Sequence, residues 1–529
     1  MLGVDIGCDD ARNRQFRDLA ESVARGREHI GGIGDAAIEL VLTRRCADVC
    51  KVTHLLKAHG PAIAEDSLKR FDQDLAKALE VAACGPLHDE ALKQAHLGVK
   101  QGGLGARRAQ DVMLPAFVAS RVQATPMVHA LADMFPAELL PTAWEEHYYA
   151  ELNQARDALG AQLSPERQER LHARLEAGFT EAWDRAAALR SGRSLPAGSN
   201  SHDAPYREPG ETLVLPAGGE DPEWEPDSKG LQHELCALLD EQRAGELAQT
   251  LAEQQRWTDL RRLRELQDPS VNNDWLWALS PAHGATVPAA EYALALRIRV
   301  GAHLTDEPMQ CSRCGRSVLE RTAAHALCCA APEGTRGHYA ARDFVLQLTK
   351  LGDPNATTEV LEFIPSNPAL RPADVYTEAA FPGSRAALDV GICSPDASGA
   401  GDDCCEAMWR RKRETYAEYL EELAAQGIRY EPMVFSCFGR VHHNCAVTLE
   451  RLAQQAARRQ GVASHRGILR RTLKSLGVAL VRRAVAMAKA CQHPLREQEL
   501  QLLFGGTGDG DEGGEAGEAN GNTREGAVA

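Results

Sequence analysis

The spacing of apolar residues predicts helices over most of the first half of the chain. In residues 66–83, apolar side chains recur three and four positions apart with charged residues between them, which places them on one helix face. Residues 164–190 repeat this spacing, and Pro165 suits the first turn of that helix. The same periodicity predicts helices over 231–267 and 288–304. The N-terminal half is therefore expected to be helical.

The pattern changes between residues 337 and 438, where short stretches of β-favouring residues follow one another. The predicted elements are a helix, three strands, a helix and a strand, at 337–351, 357–364, 373–379, 385–392, 406–427 and 430–438. Helical spacing returns after residue 446. The predicted fold class is α+β and mostly helical, with a small α-β-β-β-α-β core and a helical C-terminal segment.

Composition marks two segments that are expected to stay outside any packed core. Residues 191–230 are rich in Gly, Pro, Ser and acidic residues, as in a flexible linker. The final 25 residues hold six acids and nine glycines, and a segment of this kind is expected to be disordered. We predict seven consecutive segments: 1–145 (helical), 146–190 (helices), 191–230 (linker), 231–336 (helices ending in a metal-binding knuckle), 337–445 (the α-β-β-β-α-β core), 446–504 (basic helices) and 505–529 (acidic tail).

Charge is unevenly distributed along the chain. The formal net charge is -16, yet residues 451–490 contain ten Lys or Arg and no acid, so the remaining residues carry -26. A basic block on an acidic chain predicts one localised face that binds a polyanion. The candidate phosphate-binding residues are Arg458, Arg459, Arg466, Arg470, Arg471, Lys474, Arg482 and Arg483.

The chain shows no signal for secretion or membrane insertion. Its first residues lack a basic stretch followed by an apolar one, and no apolar run approaches the length of a membrane span. The fifteen cysteines are spread unevenly over a large chain, which favours reduced thiols with one metal site over a disulfide framework. We expect a nuclear or cytoplasmic location and no membrane partner.

One group of cysteines has the spacing of a zinc site. Cys311 and Cys314 form a CxxC turn, and His325 follows with Cys328 and Cys329. Cys329 is four residues beyond His325, so the two share a face of a helix and Cys329 is favoured as the fourth ligand. Four protein ligands leave no open position, which predicts a structural Zn²⁺ ion.

Two other groups fit a metal site less well. One lacks a CxxC turn, and one of its cysteines falls in a predicted strand. Its members are Cys437, His442, His443 and Cys445. The pair Cys404-Cys405 is expected to lie in a loop and to have no role.

Two aspartates stand beside predicted neighbouring strands. Leu388 and Val390 alternate with Asp389, so one strand face is apolar and the other carries the acid. Asp374 stands at the start of the preceding strand, and a hairpin would bring the two carboxylates together. Paired carboxylates suit Mg²⁺, which stabilises charge on a phosphate and lowers the pKa of a bound water.

The predicted helix that follows supplies a cation and a phenol. Lys412 and Tyr416 are four positions apart, hence on one face, and Leu420 continues this face toward the sheet. Lys412 would orient the attacking water or stabilise developing negative charge. Glu359 is a candidate third acid, as is Glu362. The same pattern has a non-catalytic interpretation, in which the aspartates merely flank turns and the helix around Lys412 presents a charged face to solvent.

Three stretches together resemble the C-terminal half of LINE-type (non-LTR) retrotransposon proteins that carry a restriction-like endonuclease. "LGVDIG" (2–7), followed by "KQAHLGVKQGGLGARRAQDVMLPAFVASRV" (93–122), is similar to the end of the reverse transcriptase and its thumb. The stretch 295–343, with its CxxC turn, is similar to the zinc knuckle of that family. "RPAD" (371–374), "LDV" (388–390) and Lys412 with Tyr416 are similar to a PD-(D/E)xK nuclease core whose lysine has moved to the next helix.

This resemblance implies a metal-dependent nuclease that nicks target DNA in the nucleus, with structural zinc and catalytic magnesium. It leaves open whether element RNA and a separate polymerase-bearing polypeptide are partners. The sequence departs from the family at three places. The aromatic-x-Asp-Asp palm motif is missing, so the chain is not expected to polymerise DNA; the family's Arg-His-Asn reads Gly337-His338-Tyr339; and "RPAD" is one residue longer than the usual motif.

Two other functions remain compatible with the sequence. The chain would be a catalytically inactive, nucleic-acid-binding remnant if the acids were only structural. It would be a helical interaction protein if the basic block were a solvated face.

Overall fold

The computed structural model describes residues 8–136, 143–190, 230–279, 286–329, 332–358, 360, 363–381 and 383–492. The linker and acidic tail predicted from composition lie outside these ranges, apart from Gly230, as do Glu359, Glu362 and the "LGVDIG" stretch. The seven predicted segment boundaries stay predictions.

Helices make up most of the described chain. They are α1 (Asp9–Gly31), α2 (Ala36–Cys46), α3 (Thr53–His59), α4 (Glu65–Ala82), α5 (Asp89–His96), α6 (Ala109–Ala132), α7 (Trp144–Gly160), α8 (Pro165–Arg190), α9 (Leu231–Glu253), α10 (Trp257–Leu266), α11 (Ala289–Val300), α12 (Pro332–Gly352), α13 (Cys404–Thr415), α14 (Leu420–Ala425), α15 (His443–Gln460) and α16 (Arg466–Gln492). Within the described ranges, no helix has the length and apolar character needed to cross a membrane.

The strands form two small sheets. They are β1 (Met309–Gln310), β2 (Val318–Leu319), β3 (Thr357–Thr358), β4 (Val375–Phe381), β5 (Ser384–Cys393) and β6 (Ile428–Ser436). β1 and β2 pair antiparallel. The other sheet has the order β3-β4-β5-β6, with antiparallel pairs except for the parallel pair β5-β6. The expected α+β class with predominant helix is confirmed.

The four-stranded sheet is covered by apolar side chains on both faces. Leu388 and Val390 of β5 belong to a core cluster that includes buried residues of α12, α15 and α16. Ala387, on the opposite face, packs with Tyr430 of β6 and Leu423 of α14. The alternation that predicted β5 therefore separates two cores, and Asp389 lies on the face of Ala387.

Two predicted elements differ from the sequence expectation. The predicted helix 406–427 is interrupted: α13 begins at Cys404 and ends at Thr415, a 3₁₀ turn spans Ala417–Tyr419, and α14 follows. Among the described residues of the first predicted strand, only Thr357 and Thr358 form a strand, β3. The periodicity located these elements correctly, but element ends depend on packing that a local pattern does not contain.

The chain forms two compact units, each assembled from separated stretches. The first comprises Met1–Gly26, Cys46–Leu75 and Ala106–Glu246, and the second comprises Arg27–Arg45, Ala76–Gly105 and Leu247–Ala529. In the first unit, a cluster of apolar residues joins α6, α7, α8 and the start of α9. The second unit contains both sheets and every candidate metal-binding and catalytic residue.

Candidate active site and metal-binding knuckle

The two predicted aspartates meet across the β4-β5 pair. Val375 lies opposite Leu388, and continuing this antiparallel register by one position places Asp374 opposite Asp389. Side chains directly opposite each other point to the same face of a sheet. Asp374 Oδ2 also accepts a hydrogen bond from the Val390 amide at 2.7 Å. The strand register thus brings both carboxylates to one end of the hairpin.

Asp389 is a buried carboxylate with two strong donors. Only 7 % of the residue is exposed, Lys412 Nζ donates to its Oδ1 at 2.5 Å, and the Tyr430 hydroxyl donates to its Oδ2. Burial and the negative charge of Asp374 raise the pKa of Asp389, although Lys412 and Tyr430 act in the opposite direction. The predicted lysine therefore reaches the predicted acid.

A glycine makes room for this contact. Gly391 is two residues beyond Asp389 on β5, and a methyl group there would lie 2.5 Å from Lys412 Cε. The lysine side chain therefore crosses the strand over the bare backbone of Gly391 on its way to the carboxylate. Tyr430 stabilises the same arrangement because its hydroxyl lies 3.3 Å from the Lys412 carbonyl oxygen.

Asp374 is held by a histidine that sequence reasoning left without a role. His338 of α12 places Nε2 at 3.5 Å from Asp374 Oδ1. Burial raises the pKa of Asp374, but His338, the charge of Lys412 and the Val390 amide together outweigh burial, and the pKa is lowered. The carboxylate is thus ionised at neutral pH.

The residues that sequence reasoning missed are His338, Tyr430 and Gly391. Tyr430 lies opposite Ala387 in the parallel pair β5-β6, and Ala387 shares its sheet face with Asp389. The alternation of side chains along β6 could therefore have placed Tyr430 on the face of the acid. His338 belongs to α12, and nothing in the local sequence pattern links α12 to β4.

Tyr416 takes a different position from the one predicted. α13 ends at Thr415, so Tyr416 does not continue the helix face of Lys412. Its hydroxyl donates to the Arg371 carbonyl at 3.0 Å, and its ring packs against Tyr430 with centroids 4.8 Å apart. Burial and the two nearby aspartates raise its pKa to about 12. The expectation that Tyr416 continues the helix face of Lys412 is therefore wrong: Tyr416 packs against Tyr430, and Tyr430 contacts the acid.

The four predicted zinc ligands converge. The ligand atoms of Cys311, Cys314, His325 and Cys329 all lie within 4.8 Å of one another. The Cys311 and Cys329 sulfurs are 3.8 Å apart, and Cys314 Sγ lies 3.4 Å from His325 Nε2. A zinc tetrahedron with bonds of ~2.3 Å to sulfur and ~2.0 Å to nitrogen has edges of about 3.5–3.8 Å. We call these four residues the knuckle, and its donor set is compatible with zinc.

Local structure explains why the knuckle uses Cys329. His325 lies in the 3₁₀ turn Ala324–Cys328, and Cys329 follows it directly; the expected shared α-helical face is not formed. Cys328 instead points its thiol toward the carbonyls of His325 and Asp396. The backbone amides of the turn after Cys314 lower the pKa of its thiol to about 5, which supplies the thiolate that a metal needs.

Much of the predicted basic face is exposed. α15 and α16 meet near residues 461–465, and arginines cluster on both sides of this junction. Five of the eight predicted phosphate-binding residues are exposed, namely Arg458, Arg459, Arg466, Arg470 and Arg471. Lys474 is partly exposed. The five exposed arginines and Lys474 lie at the end of α15 and the start of α16. We call these six residues the basic junction.

The remaining two arginines are packing residues, which corrects the sequence prediction. Arg482 is 8 % exposed, and its guanidinium donates to the Thr286 carbonyl. Arg483 donates to the Gly334 carbonyl at 3.3 Å and lies against Gly337, where a methyl group would approach its stem within 2.3 Å. Neither side chain is available to a phosphate because both are committed to the packing of α16.

The other cysteines and histidines also differ from expectation. Cys404 and Cys405 lie in the first turn of α13 rather than in a loop, and both are buried. His442 and His443 come close to Glu406, with His442 Nε2 at 2.9 Å from its Oε2. Cys437 and Cys445 are buried and do not belong to the group of Glu406, His442 and His443. Cys437 directly follows β6, and Cys445 lies in the first turn of α15.

Comparison of the sequence with known protein families gives no match, and comparison with curated proteins gives none either.

Proposed function

We propose that this protein is a metal-dependent DNA endonuclease of the restriction-like type, from the nuclease-bearing part of a LINE-type retrotransposon protein. The observation that carries the proposal is the juxtaposition of Asp374, Asp389 and Lys412 at one end of the β4-β5 hairpin. The succession α12, β3, β4, β5, α13, α14, β6 supports the proposal, because it follows the α-β-β-β-α-β order expected for the nuclease core with the second helix divided in two.

The two aspartates fit a magnesium ion. Asp374 acts to raise the pKa of Asp389, which means that the carboxylates are close enough to repel each other. A divalent cation relieves this repulsion, and oxygen-rich sites with few protein ligands are typical of Mg²⁺. Asp374 and Asp389 would hold the ion. When bound, it supplies Lewis-acid stabilisation of the scissile phosphate and a more acidic water.

The surrounding side chains orient these groups and provide positive charge. Lys412 places an ammonium at the carboxylate pair, where it stabilises negative charge that develops on a phosphate. Tyr430 fixes the second oxygen of Asp389, and His338 fixes Asp374. Packing behind these residues, including the Tyr416 ring, keeps the site rigid, and catalytic geometry depends on such rigidity.

The basic junction supports DNA as the substrate. Its exposed arginines supply the sequence-independent affinity for a phosphate backbone that a nuclease requires. Under this proposal the protein acts in the nucleus, with structural zinc in the knuckle. Element RNA and a polymerase-bearing polypeptide are further proposed partners.

A plasmid-nicking assay with added Mg²⁺ tests the proposal. Purified protein should convert supercoiled plasmid to the open circle, and Asp389→Asn should lower the rate at least about 100-fold, since it removes one of the two carboxylates that would hold Mg²⁺. Asp389→Asn keeps the size and shape of the side chain, although its amide group replaces one acceptor oxygen with a donor; it leaves the basic junction intact, so DNA retention should be unchanged. Asp402→Asn, at an exposed carboxylate before α13, is the matched control and should nick normally.

A second function is favoured by one specific contact. Both oxygens of Asp389 are occupied, by Lys412 and Tyr430, which is also how a purely structural buried ion pair is satisfied. The second candidate is therefore a catalytically inactive protein that binds nucleic acid. DNA retention without cleavage, in Mg²⁺ and in Mn²⁺, would establish this candidate and reject the nuclease.

A further inference from the structure

Three cysteines outside the knuckle point their thiols at one another. Cys393 ends β5, and Cys404 and Cys405 begin α13. The sulfur of Cys393 lies 3.5 Å from that of Cys404 and 3.6 Å from that of Cys405. All three sulfurs lie within 4.8 Å of one another. We call these residues the three-thiol cluster.

The sulfur spacing matches a shared metal ion. Three thiolates bound to one ion at ~2.3 Å lie about 3.8 Å apart in tetrahedral geometry, close to the two separations in the cluster. The residues are 6 %, 3 % and 0 % exposed, so water does not compete for the site. Soft sulfur donors select thiophilic ions such as Zn²⁺, Cd²⁺ and Cu⁺ over Mg²⁺.

The three thiols differ in how readily they lose a proton: hydrogen bonds with Cys393 and Cys404 lower the pKa of Cys405, whereas contacts with the neighbouring thiols and burial raise the pKa of Cys393 and Cys404. Cys404 and Cys405 occupy the first turn of α13, at the positive end of the helix dipole, where the Asp403 side chain accepts a hydrogen bond from the Glu406 amide. Arg440 contacts the Cys405 thiol as well. A metal binds thiolates, so an ion that enters the cluster displaces protons from Cys393 and Cys404.

A buried carboxylate lies beside the cluster. Arg440 is the shared partner of three carboxylates, Glu265, Asp268 and Asp403. Glu265 is 6 % exposed, and its Oε2 lies 3.8 Å from the Cys404 sulfur. Burial raises the pKa of Glu265 to about 7, although Arg440 lowers it, so a cation bound to the thiols would favour the ionised form of this carboxylate.

We propose that Cys393, Cys404 and Cys405 bind a thiophilic metal ion, with Zn²⁺ as its first candidate and Glu265 as the nearest oxygen donor. The bound ion links the end of β5 to the start of α13, the two elements that carry Asp389 and Lys412. It closes the loop 394–403 between them and would hold the acid and the lysine in register. Metal binding itself does not depend on whether the protein cleaves DNA.

Metal stoichiometry of the full chain tests this proposal. Protein purified under reducing conditions and saturated with Zn²⁺ should retain two equivalents after dialysis, one in the knuckle and one in the three-thiol cluster. Cys314→Ser should retain one, Cys405→Ala should retain one, and the double variant should retain none. Cys437→Ala is the matched control: it removes a buried thiol near the same strand end and should keep both equivalents.

A measurement on the unaltered protein covers the case in which a variant does not fold. Titration with Cd²⁺ produces ultraviolet absorption in proportion to the cadmium-thiolate bonds that form. The expected amplitude corresponds to all six cysteines of the knuckle and the three-thiol cluster. An amplitude that corresponds to three cysteines, or one zinc equivalent in both wild type and Cys405→Ala, would overturn the proposal and leave the cluster as packed thiols.

Discussion

At the residue scale, Asp389 and Lys412 form an ion pair that is largely buried. Their side chains are 10 % and 18 % exposed, so each charge has lost most of its hydration. A buried charge is costly unless its partner is present, because the interior does not replace the missing water. The pair therefore matters for stability as well as for the proposed chemistry, and the two roles are separable by substitution.

Removal of the lysine alone should destabilise the protein strongly. Lys412→Met leaves the Asp389 carboxylate buried without its cation, and we expect a loss of about 3 kcal/mol in the free energy of unfolding. The double variant Asp389→Asn/Lys412→Met removes both charges and should recover most of this loss. Urea unfolding followed by circular dichroism measures these effects.

Arg410→Met is the matched control on the same helix. Arg410 bonds Glu406 at an exposed i,i+4 position, and its loss should cost only about 0.3–0.5 kcal/mol. Equal effects of Lys412→Met and Arg410→Met would show that the Asp389–Lys412 pair is screened by water.

At the scale of elements, the order of helices and strands between residues 337 and 438 was predictable, but the ends of these elements and the contacts between them were not. Strand alternation around Leu388 and helical spacing along α15 are local patterns that survive in any packing. The break after Thr415 was invisible because the sequence continues with helix-favouring residues. Tyr416 leaves the helix to reach a carbonyl and a tyrosine ring from distant parts of the chain.

One helix end in the first unit depends on a side chain from another helix. α6 begins at Ala109, and its N-cap residue, Arg108, makes no capping bond from its side chain. Asp72 of α4 accepts from the Ala109 amide at 2.6 Å and from the Gln110 amide at 3.2 Å. Asp72→Ala should therefore cost about 1–2 kcal/mol, while Asp72→Asn should cost less because it keeps one acceptor.

The pH dependence of this cap follows from its burial. Burial raises the pKa of Asp72 to about 6 from an ordinary value of 3.8, although the hydrogen bonds to Gln110 and Ala109 lower it. Between these pH values the folded state binds more proton than the unfolded state, so stability is highest at the acid end and falls as pH rises toward 6. Wild type should thus lose stability relative to Asp72→Asn over this interval. If the free energy of unfolding changed equally with pH in the two proteins from pH 4 to pH 6, this prediction would be contradicted.

At the scale of the whole molecule, the basic junction stands out against a chain of net charge -16. Binding that releases counterions depends steeply on salt, with a slope of about -0.9 per neutralised phosphate in a plot of log affinity against log salt concentration. The five exposed arginines predict a slope of about -4 to -5 for DNA.

Substitution at the junction should change this slope. Arg470→Gln with Arg471→Gln should reduce its magnitude by about 2, since each phosphate contact contributes about 1. Arg70→Gln, at an exposed arginine of α4, should leave it unchanged. Fluorescence anisotropy over a range of salt concentrations provides the measurement, and an identical slope in the junction variant and wild type would place DNA elsewhere on the surface.

The amino-acid sequence by itself determined the helical and strand periodicities, the α-β-β-β-α-β order and the knuckle spacing, because each of these depends on residues that are neighbours along the chain. Only the tertiary structure decided which side chains meet. Strand register placed Asp374 opposite Asp389, and packing brought His338 and Tyr430 to them from α12 and β6. The same packing buried Arg482 and turned Cys404 and Cys405 toward Cys393, because such contacts depend on distances between elements that no local pattern specifies.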